Sequence, residues 1–528
     1  MSTADIVVIL ASLVVIVGAG LLAARHQETT ARGYFLASDK LPWWLIGSSM
    51  VATSVSSEQI VGTVGATYTH GMAVANWEWF SLPAYTLTIV FFIPIYLRNR
   101  IATVSEFYGR RFGPLCAHLY SWVMLVAYVL IFLVPVVYGG SLAFADLTGW
   151  NFSAVLWISV VLVGLYTVTG GLMSVMWTNF LQCVLLVGGG VVLFFLALSH
   201  IPGGWSAAVA AYPDRFHLYH PPSDPLAPFL GLILLAFNTG VFYQATNQVM
   251  IQRLLGARTT WDGIMGTVSG GFINFARPLV TSFLGLLVFH WIYVLKRAEP
   301  LANQDTAFTF ALMNFAPEWG LRGLILAGFL AAVMSTVSSL ANSSATIFAL
   351  DIYPRFFRPN ATDRQMVWAG KCASLATLAI AALIAPVVEH LGGIFLYFQT
   401  GVTYLATPFA STMIVGILWR RANYAGALFG LIGGLAIQIL VAVYFWVSDV
   451  TLHWAYVGAI AQVLTIVGIV LVSLVSEPPA REQWEPFVWR PSFLRQLDTG
   501  ETRPWYQSLL LWYGIYAAVW VYLYWRFW

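Results

Sequence analysis

About fourteen apolar stretches of membrane length succeed one another along the 528 residues of this chain. That feature confines the fold more than any other, because hydrocarbon supplies no water to the backbone and a run of roughly twenty apolar residues must cross it as a helix. The stretches fall at approximately 5–24, 43–69, 73–97, 114–145, 153–169, 172–198, 226–254, 263–294, 319–350, 366–387, 391–418, 424–447, 453–475 and 505–527. The loops between them are mostly short, and the longest, 199–225 and 476–504, are rich in Pro and polar residues. Charged residues make up only 9% of the chain and apolar ones 59%, whereas a soluble protein carries roughly a quarter charged residues. The expectation is an all-α polytopic membrane protein bathed in lipid. A net charge of +3, scattered through loops, argues for no nucleic-acid partner.

Lysine and arginine set the orientation. With the N-terminus outside, the inner loops hold about eighteen of them, Arg253 included, against five outside, a strong positive-inside bias. The first stretch follows Asp5 rather than a basic segment, so it reads as a retained helix and not a cleaved signal. Cys116, Cys183 and Cys372 lie in or beside apolar stretches without metal-ligand spacing, and are expected in core packing. Gly426, Gly430 and Gly434, and the run Gly188–Gly190, suit close helix packing. The tryptophans of the last stretch, from Trp505 to Trp528, suit interfacial anchoring.

Three stretches are too polar to be ordinary spans. The second contains Thr53, Ser54, Ser56, Ser57, Glu58 and Gln59, which fit a continuous helix poorly. An unwound turn there would release carbonyl oxygens, and hard cations such as sodium prefer oxygen ligands. The ninth sets Ser335, Ser338, Ser339 and Asn342 on one helix face, with Thr336 beside it. The seventh carries Asn238, Thr239, Gly240, Tyr243, Gln244, Thr246, Asn247 and Gln248. It lies five stretches after the second, as two inverted five-helix repeats require. Buried polar groups of this density mark ion or solute pathways. Glu78 and Gln399 are further candidates for contact with solute hydroxyls. Arg277 needs a partner at membrane depth, either an acidic side chain or an anionic solute.

These motifs resemble the sodium/solute symporter family, its sodium–glucose cotransporter branch in particular. The likeness runs from about Ser38 to Asn423. It is carried by LPWW at Leu41–Trp44, SEQ at Ser57–Gln59, EW at Glu78–Trp79, YTVTGG at Tyr166–Gly171, NQVMIQR at Asn247–Arg253 and NSSATIFALDIY at Asn342–Tyr353. The resemblance implies a leucine-transporter-like core of two inverted repeats. The corresponding divisions are an extra N-terminal helix and inner loop (1–42), first repeat (43–198), outer loop (199–225), second repeat (226–418) and accessory helices (419–528). It further implies a sodium site built by the carbonyls of Ala52, Val55 and Ala332 and the hydroxyls of Ser335 and Thr336. Solute contacts would fall on Gln59, Glu78, Ser81 and Gln399, with Tyr243 as an inner gate. Asn274 stands where relatives place a sugar-contacting lysine, Gly240 replaces an Asn or Thr, and Gln244 replaces a Trp. Asn179 stands where relatives with a second sodium site carry an acid, which favours one sodium per solute.

The function expected is sodium-coupled import of a sugar or polyol across the cell membrane. One alternative is the same fold carrying a sugar acid or carboxylate against Arg277. Others are a membrane sensor, for which the chain leaves no signalling domain after the last stretch, and a passive channel. No nucleophile–base set, metal-ligand cluster or phosphate-binding loop suggests an enzyme.

Overall fold

The structure is a computed structural model, and it describes residues 2–25, 30–224, 227–390, 394–450, 452–495 and 503–528. The side chains at 58, 388–390, 394–397 and 400 lie outside that description, the Glu58 carboxylate among them. The architecture is helical throughout the described residues; a single bridge, Leu41 to Ala257, is the one strand-like pairing among them.

Among the described residues, eleven helices are long and apolar enough to cross a membrane. One of the eleven spans the fifth and sixth expected stretches, and the second and last expected stretches are not among them. The second is a broken helix, Trp43–Ser54 followed by Ser57–His70. The fifth and sixth form one 48-residue element, Phe152–Ser199, interrupted at Gly171 (φ 51°, ψ −146°). Unbroken, such a helix would reach about 70 Å, more than twice the roughly 30 Å hydrocarbon core. The break divides it at the boundary expected between 153–169 and 172–198. Only glycine suits the position. Its φ is left-handed, and a Cβ there would collide with the Tyr34 carbonyl. The last crossing, Leu509–Phe527, has 19 residues.

The most deeply buried crossing is Leu321–Phe357, of whose most apolar window 94% is inside the protein. It carries the hydroxyl stripe, and packs against the long Phe152–Ser199 element and against Trp43–Ser54. A polar stripe at the centre of a bundle is what lipid exclusion demands. The glycine ladder behaves as expected. A methyl at Gly426 would overlap Ser473, and one at Gly430 would overlap Thr412. Gly188 departs from that reading, because nothing lies within 4 Å of the position a Cβ would take. Cys372 also departs. Cys116 and Cys183 are buried, but Cys372 is exposed on the apolar outer surface. Arg253 is not a loop cation at all; its side chain is only 1% exposed and turned into the bundle.

Candidate functional site

The interruption of the first broken helix is two residues wide. Val55 (φ −108°, ψ 103°) and Ser56 (φ −115°, ψ −179°) are extended. Carbonyls in the turn before such a break lose their intrahelical N–H partners. Here the hydroxyl stripe answers them. Ser335 Oγ donates to the Ala52 carbonyl at 2.6 Å, and lies 2.8 Å from the Ala332 carbonyl. Thr336 Oγ1 lies 3.1 Å from the Thr53 carbonyl and 3.2 Å from that of Ala332. Four of the five groups expected to hold sodium, from Ala52, Ala332, Ser335 and Thr336, are therefore joined in one chain of contacts. Val55, the fifth, forms the break itself. The Thr53 carbonyl is a member of this cluster that motif comparison passed over. These are neutral, hard oxygens that suit a small monovalent cation. The two hydroxyls can rotate their protons away and offer lone pairs instead.

The second broken helix ends differently. Phe229–Thr246 runs through two wide π-turns, Ala236–Gly240 and Phe242–Thr246. It is interrupted at Asn247 (φ −85°, ψ 118°), and resumes at Gln248–Leu255. Its loosened carbonyls are capped by phenols. Tyr96 donates to Ala245 O at 2.7 Å and Tyr120 to Thr246 O at 2.6 Å, while Tyr128 donates to the side-chain oxygen Asn247 Oδ1 at 2.6 Å. The Tyr128 hydroxyl also accepts from the Val249 N–H at 3.2 Å. The second break's carbonyls thus accept from buried phenols, whereas those of the first accept from aliphatic hydroxyls. The capping tyrosines were not singled out in the sequence. Tyrosine is an ordinary core residue, and nothing in its spacing betrays a partner more than a hundred residues away.

Beside the first break lies a cavity of about 190 Å³. All six residues expected to contact solute line it: Gln59, Glu78, Ser81, Tyr243, Asn274 and Gln399. Thr53 and Thr336 line it too, so the oxygen cluster and the cavity share a wall. Glu78 is 1% exposed, and its oxygens accept from the hydroxyls of Thr281 and Ser282. Arg277 Nε lies 3.5 Å from Glu78 Oε1, while Arg277 Nη2 donates to Gln59 Oε1 at 3.1 Å. Arg277 therefore has the acidic partner that its depth required. Asn274 Nδ2 donates to the Tyr85 hydroxyl at 3.2 Å, and Asn274 Oδ1 has no protein partner. Ser81 Oγ is 3.2 Å from the hydroxyl of Tyr516, on the last crossing. That crossing was expected to do no more than anchor the chain. Its Trp525 is exposed, as an anchor is, but Trp520 Nε1 donates to the Trp79 carbonyl and Tyr524 to Asn76 Oδ1, both at 2.7 Å. It thus braces the segment carrying Glu78 and Ser81.

Residues 34–434 match the sodium:solute symporter family. The chain belongs to that family. Among its relatives, the sodium/glucose cotransporter of Vibrio parahaemolyticus is 31% identical over 468 residues, covering 82% of this chain and 84% of the relative. The sodium/myo-inositol cotransporter of Canis lupus familiaris is 28% identical over 547 residues, covering 92% and 75%. In structure, the symporter superposes on a Na+-coupled sialic acid symporter in a substrate-bound outward-open state. The TM-score is 0.80 at 21% sequence identity, with 90% of this chain and 99% of the other covered. The fold is thus the leucine-transporter-like one, the protein is an integral membrane transporter rather than an enzyme, and sodium is the coupling ion.

Proposed function

We propose that this symporter imports a small neutral polyol, a hexose or a cyclitol, with one sodium per solute. The observation that carries the reading is the wall shared by the two sites: Thr53 and Thr336 face both the oxygen cluster and the cavity. Sodium held by Ala52, Val55, Ala332, Ser335 and Thr336 would tie the first broken helix to the hydroxyl helix. The cavity wall would then take one shape, and solute would meet a surface already formed. Coupling needs no more than this, since two ligands that prefer the same conformation raise each other's affinity by the same factor.

Gln59, Ser81, Asn274 and Gln399 offer amide and hydroxyl groups suited to sugar hydroxyls. Tyr243 would close over the solute from the inner side. Glu78 retains lone pairs beyond those engaged by Thr281 and Ser282. The charge on Arg277 is already met by Glu78, which favours an uncharged solute over a sugar acid or carboxylate. A cavity of about 190 Å³ is below the roughly 300–1,000 Å³ of drug-sized pockets, in keeping with a single small ring. Names among the relatives, glucose and myo-inositol, lie in the same chemical class. The arginine distribution supports an N-terminus outside the cell membrane.

A thermal-shift screen of purified protein against hexoses, cyclitols and sugar acids, each in sodium and in choline chloride, tests the reading. Stabilisation by a neutral polyol that needs sodium is the expected result. Stabilisation by sugar acids alone, lost in Arg277→Gln, would overturn the solute class. Equal shifts in both salts would overturn the coupling.

A further inference from the structure

The last crossing, Leu509–Phe527, turns three phenols toward the segment between Asn76 and Thr86, which carries Glu78 and Ser81. Two of the three can act only as donors. Tyr524 faces Asn76 Oδ1 at 2.7 Å, an atom without a proton. Tyr513 lies 2.7 Å from Thr86 Oγ1, whose own proton goes to the Leu82 carbonyl at 2.7 Å. The third, Tyr516, lies 3.2 Å from Ser81 Oγ, where geometry alone allows either hydroxyl to donate. Burial decides between them. Tyr516 is 0% exposed and stands behind the cavity wall without lining the cavity. Its ring occupies the space that Gly271 leaves, where a methyl would overlap it, and rests against Phe272 and Phe275. Among the described residues its hydroxyl has no hydrogen-bond partner other than Ser81. If Ser81 donated, the phenol proton would be stranded in an apolar wall, a costly state for a buried donor. Ser81 is placed differently, since it lines the cavity and its proton can be met there by water or solute.

We propose that Tyr516 is a positioning residue for the solute: by donating to Ser81 it turns the Ser81 proton into the cavity, so that the solute must offer an acceptor oxygen at that point. The proposal rests on the polyol reading above and deepens it, because it fixes the direction of one of the hydrogen bonds that select the solute. Tyr516 lies outside residues 34–434, so the family match itself assigns it no role.

The test is sodium-driven uptake by the full-length protein in proteoliposomes, with D-glucose and myo-inositol as probes beside their monodeoxy and monofluoro analogues. Fluorine in place of a hydroxyl can accept but cannot donate. On the wild type, the deoxy analogue at the position facing Ser81 is expected to raise KM about 2- to 10-fold, while the fluoro analogue stays close to the parent. Ser81→Ala should abolish that difference and so identify the position. Tyr516→Phe should abolish the same difference, raise KM for the parent about 2- to 10-fold and leave the maximal rate near wild type. Gly271→Ala, whose methyl displaces the phenol without altering either hydroxyl, should repeat the Tyr516→Phe result. A Tyr516→Phe protein that keeps the wild-type difference would overturn the proposal. So would an equal rise in KM for the parent and every analogue, which is the mark of a purely structural role, or a Ser81→Ala protein that discriminates as the wild type does. A fluoro analogue as poor as the deoxy one would also overturn it, because Ser81 would then be accepting from the solute. Should Gly271→Ala fail to fold, Tyr516→Phe still decides. Failure of the polyol reading itself would look different: the wild type would transport neither probe, and the proposal would fall with it.

Discussion

At the scale of single residues, the proposed sodium site would work by placing neutral oxygens where a small cation can gather them. Ser335 and Thr336 each touch carbonyls on both elements, and Ser335 does so at the shorter distances, to Ala52 and Ala332. Ser335→Ala removes one ligand and leaves little cavity. Losing an interaction with a charged partner worth about 1.5–3 kcal/mol corresponds to roughly 10- to 100-fold. Sodium affinity should fall by that factor, read as the sodium dependence of the melting temperature, while the melting temperature in choline stays close to wild type. A loss of stability without loss of sodium affinity would refute the placement. Glu78 and Arg277 make a second residue-scale prediction. Removing one partner of a buried pair costs about 3–5 kcal/mol, because the other is left uncompensated. Glu78→Gln should therefore lower the melting temperature markedly, and adding Arg277→Met should restore much of it. Both residues were conspicuous in the sequence as charges at membrane depth. That they answer each other across 199 positions was not legible, because the pairing exists only once the two crossings lie side by side.

At the scale of elements, two broken helices carry the architecture, and they differ in how their freed backbone is satisfied. The first turns its carbonyls to rotatable serine and threonine hydroxyls, the second to the phenols of Tyr96 and Tyr120. Tyr128 bonds both Asn247 Oδ1 and the Val249 N–H, which also bond each other, so Tyr128→Phe removes the phenol and leaves that N-cap in place. A cost of about 0.5–1.5 kcal/mol for the lost hydrogen bond is expected. It should appear as a lower melting temperature in both sodium and choline, with sodium affinity little changed. Both interruptions were legible as polar density inside apolar runs. The caps were not, since a tyrosine that bonds a distant carbonyl reads the same as one that packs. The last helix teaches the same lesson. Its aromatic richness suggested the membrane interface, yet Tyr516, Trp520 and Tyr524 turn inward to brace the segment from Asn76 to Ser81.

At the scale of the whole molecule, the proposed coupling would make transport answerable to both the sodium gradient and the membrane potential. A tenfold inward sodium gradient contributes about 1.4 kcal/mol, and 100 mV acting on one charge about 2.3 kcal/mol. One sodium with one neutral solute therefore allows roughly 500-fold accumulation in all. In proteoliposomes holding a fixed sodium gradient, imposing 100 mV, inside negative, should raise the steady-state accumulation of a solute found by the thermal screen about 50-fold. An accumulation indifferent to voltage would mean that no net charge moves with the solute.

The amino-acid sequence by itself determined the helical membrane class, the places where two crossings must break, the hydroxyl stripe on the ninth and the family. Each of these follows from local rules: bilayer thickness, the cost of polar groups in hydrocarbon, helical spacing and motif order. Only the tertiary structure decided which charge answers Arg277, which carbonyls meet phenols and which meet aliphatic hydroxyls, and that Arg253, counted on sequence as a loop cation, stands among the hydroxyls of Ser49, Thr53 and Ser339. Those outcomes depend on which side chains reach one another across helices far apart in the chain. Hydrogen bonds and ion pairs act over a few ångströms, so their partners are chosen by the packing of the bundle and not by position along it.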